Sequence, residues 1–118
     1  MTAEEKLTGI DLIKKERQRQ IDVENWTPEH DKQYQNDQLF NAAASYSALP
    51  ERRNLDGDGV PYAWPWASNW WKPTPDNRIR ELEKAGALFL AHQNATGFDC
   101  SKEIISCAER IDRLLLEL

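Results

Sequence analysis

A stretch rich in proline and tryptophan, residues 61–75, constrains the fold of this chain most. It reads PYAWPWASNWWKPTP and holds four of the five tryptophans between four prolines. Because proline fixes the φ angle and lacks a backbone N–H donor, this stretch cannot form a regular helix or a central strand. It therefore predicts a loop, whose indole rings must either cap a small core or form a recognition surface.

Amphipathic helices are predicted on both sides of this loop, and no segment has the pattern of a strand. In the last predicted helix, apolar side chains from residue 104 to residue 118 recur at alternating steps of four and three residues, which is helical periodicity. Thr74 is predicted to cap the third helix, because a proline and an acid follow it in the first turn. The four predicted helices cover residues 3–24, 37–49, 75–94 and 101–118.

Four amphipathic helices and one long loop predict an all-α fold that resembles a four-helix bundle. A chain of 118 residues is long enough for one core, so residues 1–118 are predicted to form a single domain. The Trp/Pro-rich loop between the second and third predicted helices covers about residues 50–74. A loop of this length is unusual in a compact domain and indicates a functional segment.

Composition and charge exclude several classes of function. The formal net charge is −5, from 15 basic and 20 acidic residues, which argues against duplex nucleic acid as a partner because its binding needs a basic face. No apolar run reaches the length of about 20 residues that a membrane helix needs, and the acidic N-terminus does not resemble a signal peptide. A cytoplasmic protein with no membrane partner and with reduced cysteines is therefore expected.

Carboxylates in the first third of the chain are candidates for metal binding. Glu16 and Glu24 lie on one stripe beside the inward face of the first predicted helix. Helical bundles hold Mg²⁺ or Mn²⁺ with inward carboxylates of this kind, although a solvated helix edge has the same spacing. Glu29, His30 and Asp31 follow the helix break, where they can complete a metal shell, supply a general base or lie on the surface.

The aromatic and basic residues around the loop are typical of a nucleotide site. Tryptophan rings offer stacking faces to a base, and Lys72, Arg78 and Arg80 follow closely enough to meet phosphate. The alternative is that the rings plug one end of the bundle. The sequence contains no phosphate loop, dinucleotide fingerprint or zinc-binding cysteine pattern.

Residues 16–31, which read ERQRQIDVENWTPEHD, resemble the N-terminal signature of a family of small phage and prophage proteins. The family is dATP/dGTP diphosphohydrolase-like and distantly related to the MazG-type all-α nucleotide pyrophosphohydrolases. Three further segments are similar to the family and occur in the same order. They are WPW at 64–66, WWKP at 70–73 and RIRELEKAGALFLA at 78–91, so the resemblance spans about residues 10–92.

The resemblance implies a phage-derived protein that binds nucleoside triphosphates with Mg²⁺ or Mn²⁺ in the bacterial cytoplasm and hydrolyses them to a monophosphate and pyrophosphate. A metal ion suits this reaction because it neutralises phosphate charge and positions the attacking water. The implied catalytic and metal-binding residues are Glu16, Glu24 and Asp31. The implied substrate-binding residues are Trp26, His30, Trp70, Trp71, Lys72, Arg78, Arg80 and Lys84.

An alternative function follows from two positions where the resemblance leads us to expect acids. Gln38 and His92 stand there, and neither carries the negative charge that a hard cation requires. The alternative is a catalytically degenerate phage accessory protein that binds and inhibits a host protein through the tryptophan loop. The leucine-rich end, residues 114–118, fits either a homo-oligomer or the core of a monomer.

Overall fold

Five α-helices, two 3₁₀ turns in the long loop (Pro50–Arg52 and Ser68–Trp70) and no strand make up the regular structure of residues 7–118, which are the residues that the computed structural model describes. The prediction of an all-α, bundle-like fold with a long loop is confirmed. Within that range no helix is both long and apolar enough to cross a membrane. The helices are α1 (Gly9–Asp22), α2 (Pro28–Asp31), α3 (Gln38–Ser47), α4 (Arg78–Thr96) and α5 (Ser101–Leu115).

The first helix begins and ends inside its predicted range. Thr8 caps α1, because its hydroxyl accepts from the backbone N–H of Asp11, whose carboxylate in turn accepts from the N–H of Thr8 at 2.9 Å. This reciprocal capping box fixes the start at Gly9, and the predicted helical residues 3–6 lie outside the described range. The helix ends at Asp22, shortly before Asn25 adopts a positive φ of 62°.

The predicted cap of the long helix is wrong. Asn77 caps α4, since its side-chain oxygen accepts from the N–H of Arg80 at 3.1 Å. Thr74 lies three residues before this cap, where its backbone N–H donates to Glu81 at 2.9 Å. A buried carboxylate therefore holds Thr74 in the loop, which no local sequence rule anticipates. At its other end α4 runs to Thr96, and Gly97 terminates it with a φ of 79°.

Two smaller differences concern α2 and α5. The short helix α2 was not predicted, although Thr27 caps it through a hydrogen bond from the N–H of His30 at 3.1 Å and Pro28 begins its first turn. The helix α5 ends at Leu115, so the last three residues of the predicted helix lie outside it. Leu116 and Leu118 are almost fully exposed, which leaves them no packing energy to hold a further turn.

The helix α4 is the centre of the fold and packs against each of the other four helices. It is buried on most of its circumference, as a helix surrounded by others must be. Small residues permit these close approaches: a Cβ atom at Gly86 would lie 2.5 Å from Cδ1 of Ile13 on α1. The buried residues of α4 are Glu81, Leu82, Ala85, Gly86, Ala87, Leu88, Phe89, Ala91 and His92.

Three arginines from different segments converge on the C-terminus of α3. Arg53 of the loop, Arg78 of α4 and Arg110 of α5 donate to the carbonyl oxygens of residues 45–47 at 2.8–3.0 Å. The last carbonyl groups of a helix have no partners within it and carry partial negative charge. The arginines satisfy these groups and join α3 to the loop and to two other helices.

The fully buried carboxylate of Glu81 holds two of these arginines in place. It pairs with Arg53 at 3.0 Å and with Arg78, and it also accepts the N–H of Thr74. Both ends of the long loop are therefore attached to one side chain of α4. Next to this cluster, the hydroxyl of Tyr46 accepts from the backbone N–H of Lys72 at 3.0 Å, which fixes the loop directly after its tryptophans.

We expect Glu81→Gln to lower the free energy of unfolding by about 3–5 kcal/mol, because it leaves the buried guanidinium groups without a negative partner. Urea denaturation followed by circular dichroism measures the change. Glu51→Gln is the matched control, since Glu51 is exposed and forms no ion pair within residues 7–118, and its effect should stay within about 0.5 kcal/mol. Equal effects of the two substitutions would contradict this role of Glu81.

A second prediction concerns the contact between α1 and α5. A Cβ atom at Gly9 would overlap the carbonyl oxygen of Ala108 on α5, so Gly9→Ala must separate the two helices. We expect a loss of about 1–3 kcal/mol in the free energy of unfolding, as for other overpacked sites. Gly57→Ala is the control, because a Cβ atom there meets no atom of the described residues within 4 Å. An unchanged stability of Gly9→Ala would refute the contact.

Candidate functional site

A cavity of about 580 Å³ lies where α1, α2, α3 and α4 meet the long loop. Its walls combine aromatic rings with ionisable groups. The aromatic residues that line it are Trp26, Tyr34, Tyr46, Trp64, Trp66 and Trp70. The ionisable residues that line it are Glu16, Arg19, Glu24, His30, Asp31, Lys72 and Lys84. Gln20, Leu39, Ala67 and Leu88 complete the lining.

The ring of Trp66 is the centre of the aromatic wall. Its centroid lies 5.3 Å from that of Trp64, 5.4 Å from that of Tyr34 and 6.4 Å from that of Trp26. These separations are in the range of favourable tilted and edge-to-face contacts. The rings therefore support one another through these contacts. Trp70 is 51% exposed and is the least covered of these tryptophans.

Arg19 joins two carboxylates of the cavity. Its Nε and Nη2 atoms donate to the two oxygens of Glu16 at 2.8 and 3.0 Å, and its Nη1 atom donates to Glu24 at 3.1 Å. Arg80 adds a hydrogen bond to Glu16 at 2.6 Å. Burial by itself raises the pKa of Glu16, but the hydrogen bonds from Arg19 and Arg80 outweigh it and hold that pKa below its ordinary value.

Asp31 is paired independently of this group. It is 2% exposed and contacts Nη2 of Arg17 at 3.0 Å and Nδ1 of His30 at 2.9 Å. Arg17 also donates to the carbonyl oxygen of Trp26 at 3.0 Å, which fixes the bend between α1 and α2. The ion pair therefore positions Trp26 and His30 in the cavity wall.

The carboxylates do not fit a metal ion as they lie. Glu16, Glu24 and Asp31 all line the cavity, but each is hydrogen-bonded to an arginine. In residues 7–118 no group of three or more His, Cys, Asp or Glu side chains has the placement of a metal site. A hard cation needs several unoccupied oxygen ligands, which this arrangement does not offer. Mg²⁺ or Mn²⁺ stays a prediction of the resemblance.

Two lysines, Lys72 and Lys84, give the cavity positive groups. Lys84 donates to the carbonyl oxygen of Lys72 at 3.0 Å and lies 5.4 Å from the ring centroid of Tyr46. Burial lowers the pKa of Lys84, and the nearby Arg80 lowers it further. Neither lysine forms a salt bridge with a carboxylate in the described part of the chain. Their ammonium groups can therefore bind an anion.

Eight of the eleven predicted site residues line this cavity. They are Glu16, Glu24, Trp26, His30, Asp31, Trp70, Lys72 and Lys84. The structure does not bring the other three to it. Arg78 is engaged by Glu81 and the end of α3, Arg80 is held between Glu16 and Glu83, and the ring of Trp71 packs 4.7 Å from that of Tyr46. Contacts with Glu81, Glu16 and the ring of Tyr46 therefore hold these three side chains, which the sequence pattern alone assigned to substrate binding.

Several lining residues were not predicted. Gln20 lies on the same stripe of α1 as Glu16, so its spacing was a usable signal. Arg19 was not predicted, because it bridges Glu16 and Glu24 only once the turn after α1 brings Glu24 near the helix. Tyr34 and Tyr46 lie 12 residues apart on different segments, and no local pattern relates them to the loop tryptophans.

The loop rings do not form a flat outer surface. Of its large aromatic side chains, only those of Tyr62 and Trp70 are more than half exposed, at 69% and 51%. Trp64, Trp66 and Trp71 are partly buried against the core. Trp64 and Trp66 therefore line the cavity while Trp71 packs on Tyr46, and a host-protein partner stays a prediction.

Comparisons with protein-family models, curated protein sequences and solved structures found no match to this chain. The resemblance to the diphosphohydrolase-like family therefore stays a prediction.

The paired carboxylates make stability depend on pH. The pKa values of Glu16 and Glu81 lie below the ordinary 4.5, because arginine hydrogen bonds outweigh the opposing effect of burial. Their contribution is fully present above 4.5 and is lost as the pH falls through the lowered values. We expect the melting temperature to fall over this acid range, and less steeply in Glu16→Gln. If the melting temperatures of the two proteins fall equally steeply with pH, Glu16 does not contribute to the acid dependence of stability.

Proposed function

We propose that this protein binds a nucleotide, with the base among the tryptophans of the cavity and the phosphates at Lys72 and Lys84. The observation that carries this proposal is the presence, in one cavity of about 580 Å³, of stacking rings and two ammonium groups that pair with no carboxylate of residues 7–118. Small-molecule sites commonly have volumes of about 300–1,000 Å³, with mostly apolar walls and a few polar groups.

Base binding is supported by the chemistry of the aromatic wall. Any base has a π-face, and stacking on an aromatic side chain contributes about 1–3 kcal/mol per base. The rings of Trp26 and Tyr34 both already contact the ring of Trp66, so little ordering is needed on binding. Trp70, half-exposed and in the lining, can close over a bound base.

Phosphate binding is supported by the charge arrangement. The carboxylates of Glu16 and Asp31 are paired with arginines inside the wall, which reduces their repulsion of an anion. Lys72 is exposed and Lys84 half-buried, so one ammonium group lies in solvent and the other nearer the core. A phosphate that replaces the carbonyl partner of Lys84 gains a charge-assisted hydrogen bond.

Hydrolysis is a separate question from binding. The resemblance implies cleavage to a monophosphate and pyrophosphate, and chromatography of each canonical nucleoside and deoxynucleoside triphosphate after incubation with the protein tests it. Nucleotide binding is tested separately, by titration of the protein with nucleotide in the absence of turnover.

We expect wild-type protein to bind nucleoside triphosphates in isothermal titration calorimetry and Trp70→Ala to bind them about 5- to 150-fold more weakly, because one stacking face is lost. Tyr62→Ala is the matched control: Tyr62 is an exposed ring of the same loop that does not line the cavity. The double variant Lys72→Gln, Lys84→Gln should also bind nucleotide more weakly than wild-type protein, and its binding should depend less on salt concentration. Absence of binding to all eight nucleotides by well-folded wild-type protein would refute the proposal.

A further inference from the structure

We infer that the guanidinium group of Arg19 serves as the resident cation of this cavity in place of a divalent metal ion, so that the cavity binds its nucleotide without a metal. The part that concerns the nucleotide rests on the proposed function. The part that concerns exclusion of the metal ion rests on the geometry of the cavity alone. Its starting point is the misfit between the carboxylates and a metal ion.

The hydrogen bonds of Glu16 are the first argument. A carboxylate has about four lone-pair positions on its two oxygens. Oε1 accepts from Arg19 at 2.8 Å and from Arg80 at 2.6 Å, while Oε2 accepts from Arg19 at 3.0 Å and from Gln20 at 3.4 Å. All these positions are therefore taken by side chains of the protein, and a metal ion must displace at least one donor to reach Glu16.

The geometry of Arg19 is the second argument. Its guanidinium group forms a fork to both oxygens of Glu16 and extends a third bond to Glu24 at 3.1 Å. The planar fork matches a carboxylate, and such bidentate pairs are among the strongest hydrogen bonds in proteins. One cation thus bridges the two acids that spacing on α1 suggested as metal ligands.

The accessibility of Arg19 is the third argument. Its side chain is 37% exposed and lines the cavity, so it faces both the acids and the open volume. An arginine has five N–H donors, of which three are used here. The other two make no hydrogen bond within residues 7–118, so Arg19 can supply a positive contact to a phosphate oxygen of the nucleotide while it remains bound to Glu16.

Titration of the full chain with Mn²⁺ alone tests the exclusion of the metal. We expect wild-type protein to give no saturable binding heat, and Arg19→Gln to gain Mn²⁺ binding because Glu16 and Glu24 lose their shared cation. The gain should disappear in Arg19→Gln with Glu16→Gln. Arg19→Lys is the matched control, since it retains the positive charge and should still exclude Mn²⁺.

Titration with dATP tests the second half of the inference. The dissociation constant of wild-type protein should change less than about threefold between buffer with EDTA and buffer with Mn²⁺. The inference would be overturned if the affinity for dATP is tenfold or more weaker in EDTA than in Mn²⁺. It would also be overturned if wild-type protein binds Mn²⁺ and Glu16→Gln abolishes that binding. Failure of dATP to bind in both buffers refutes the nucleotide half and the proposed function with it, while the Mn²⁺ titration still decides the role of Arg19.

A further variant tests the role of Arg19 in case the Arg19 variants do not fold. Arg80→Gln frees one lone pair of Glu16 but leaves the Arg19 fork intact, so it should not gain Mn²⁺ binding if Arg19 is the resident cation. Circular dichroism melting curves establish that each variant is folded before titration. Mn²⁺ binding by folded Arg80→Gln would contradict the assignment to Arg19.

Discussion

The position of the long loop depends on one buried acid, Glu81. Its carboxylate is fully inaccessible and binds Arg53 from the start of the loop, the backbone of Thr74 from its end, and Arg78. An unpaired charge in this environment would be strongly destabilising, so the loop cannot move away from α4 without exposing the cluster. Because the arginines also bind the last carbonyl groups of α3, the same contact fixes the helix from which the loop departs.

Arginine compensates a buried acid at two further places, and both lie beside the cavity. Glu16 is held by Arg19 and Arg80, and Asp31 by Arg17. The Arg80–Glu16 pair joins α4 to α1 and the Arg17–Asp31 pair joins α1 to α2, so these two pairs position the walls of the cavity, whereas Arg19 and Glu16 lie one turn apart on α1. The result is a site whose acids are occupied and whose two lysines form no salt bridge within residues 7–118, which is the basis for proposing an anionic ligand with an aromatic part.

The sequence predicted more of the fold than of the site. Hydrophobic periodicity located four helices, and prolines located the loop, because both signals are local. Helix ends were less accurate, since Thr74 has the residue type of a cap but is held by Glu81 instead. Within the site, stacking rings and carboxylates were identified by type, yet Trp70 and Trp71 could not be distinguished: one is at the cavity and its neighbour packs on Tyr46.

The sequence by itself determined that this chain is helical, that residues 61–75 form an irregular segment, and that aromatic and ionisable groups concentrate around it. Those properties follow from backbone geometry and from side-chain chemistry, which are local. Only the tertiary structure decided which arginine meets which acid. Arg78 and Arg80 are two residues apart on α4, so they point to different sides of the helix, one toward Glu81 and the other toward Glu16. Charge pairing over such distances depends on how the helices pack, and that packing converts a candidate metal site into an arginine-filled one.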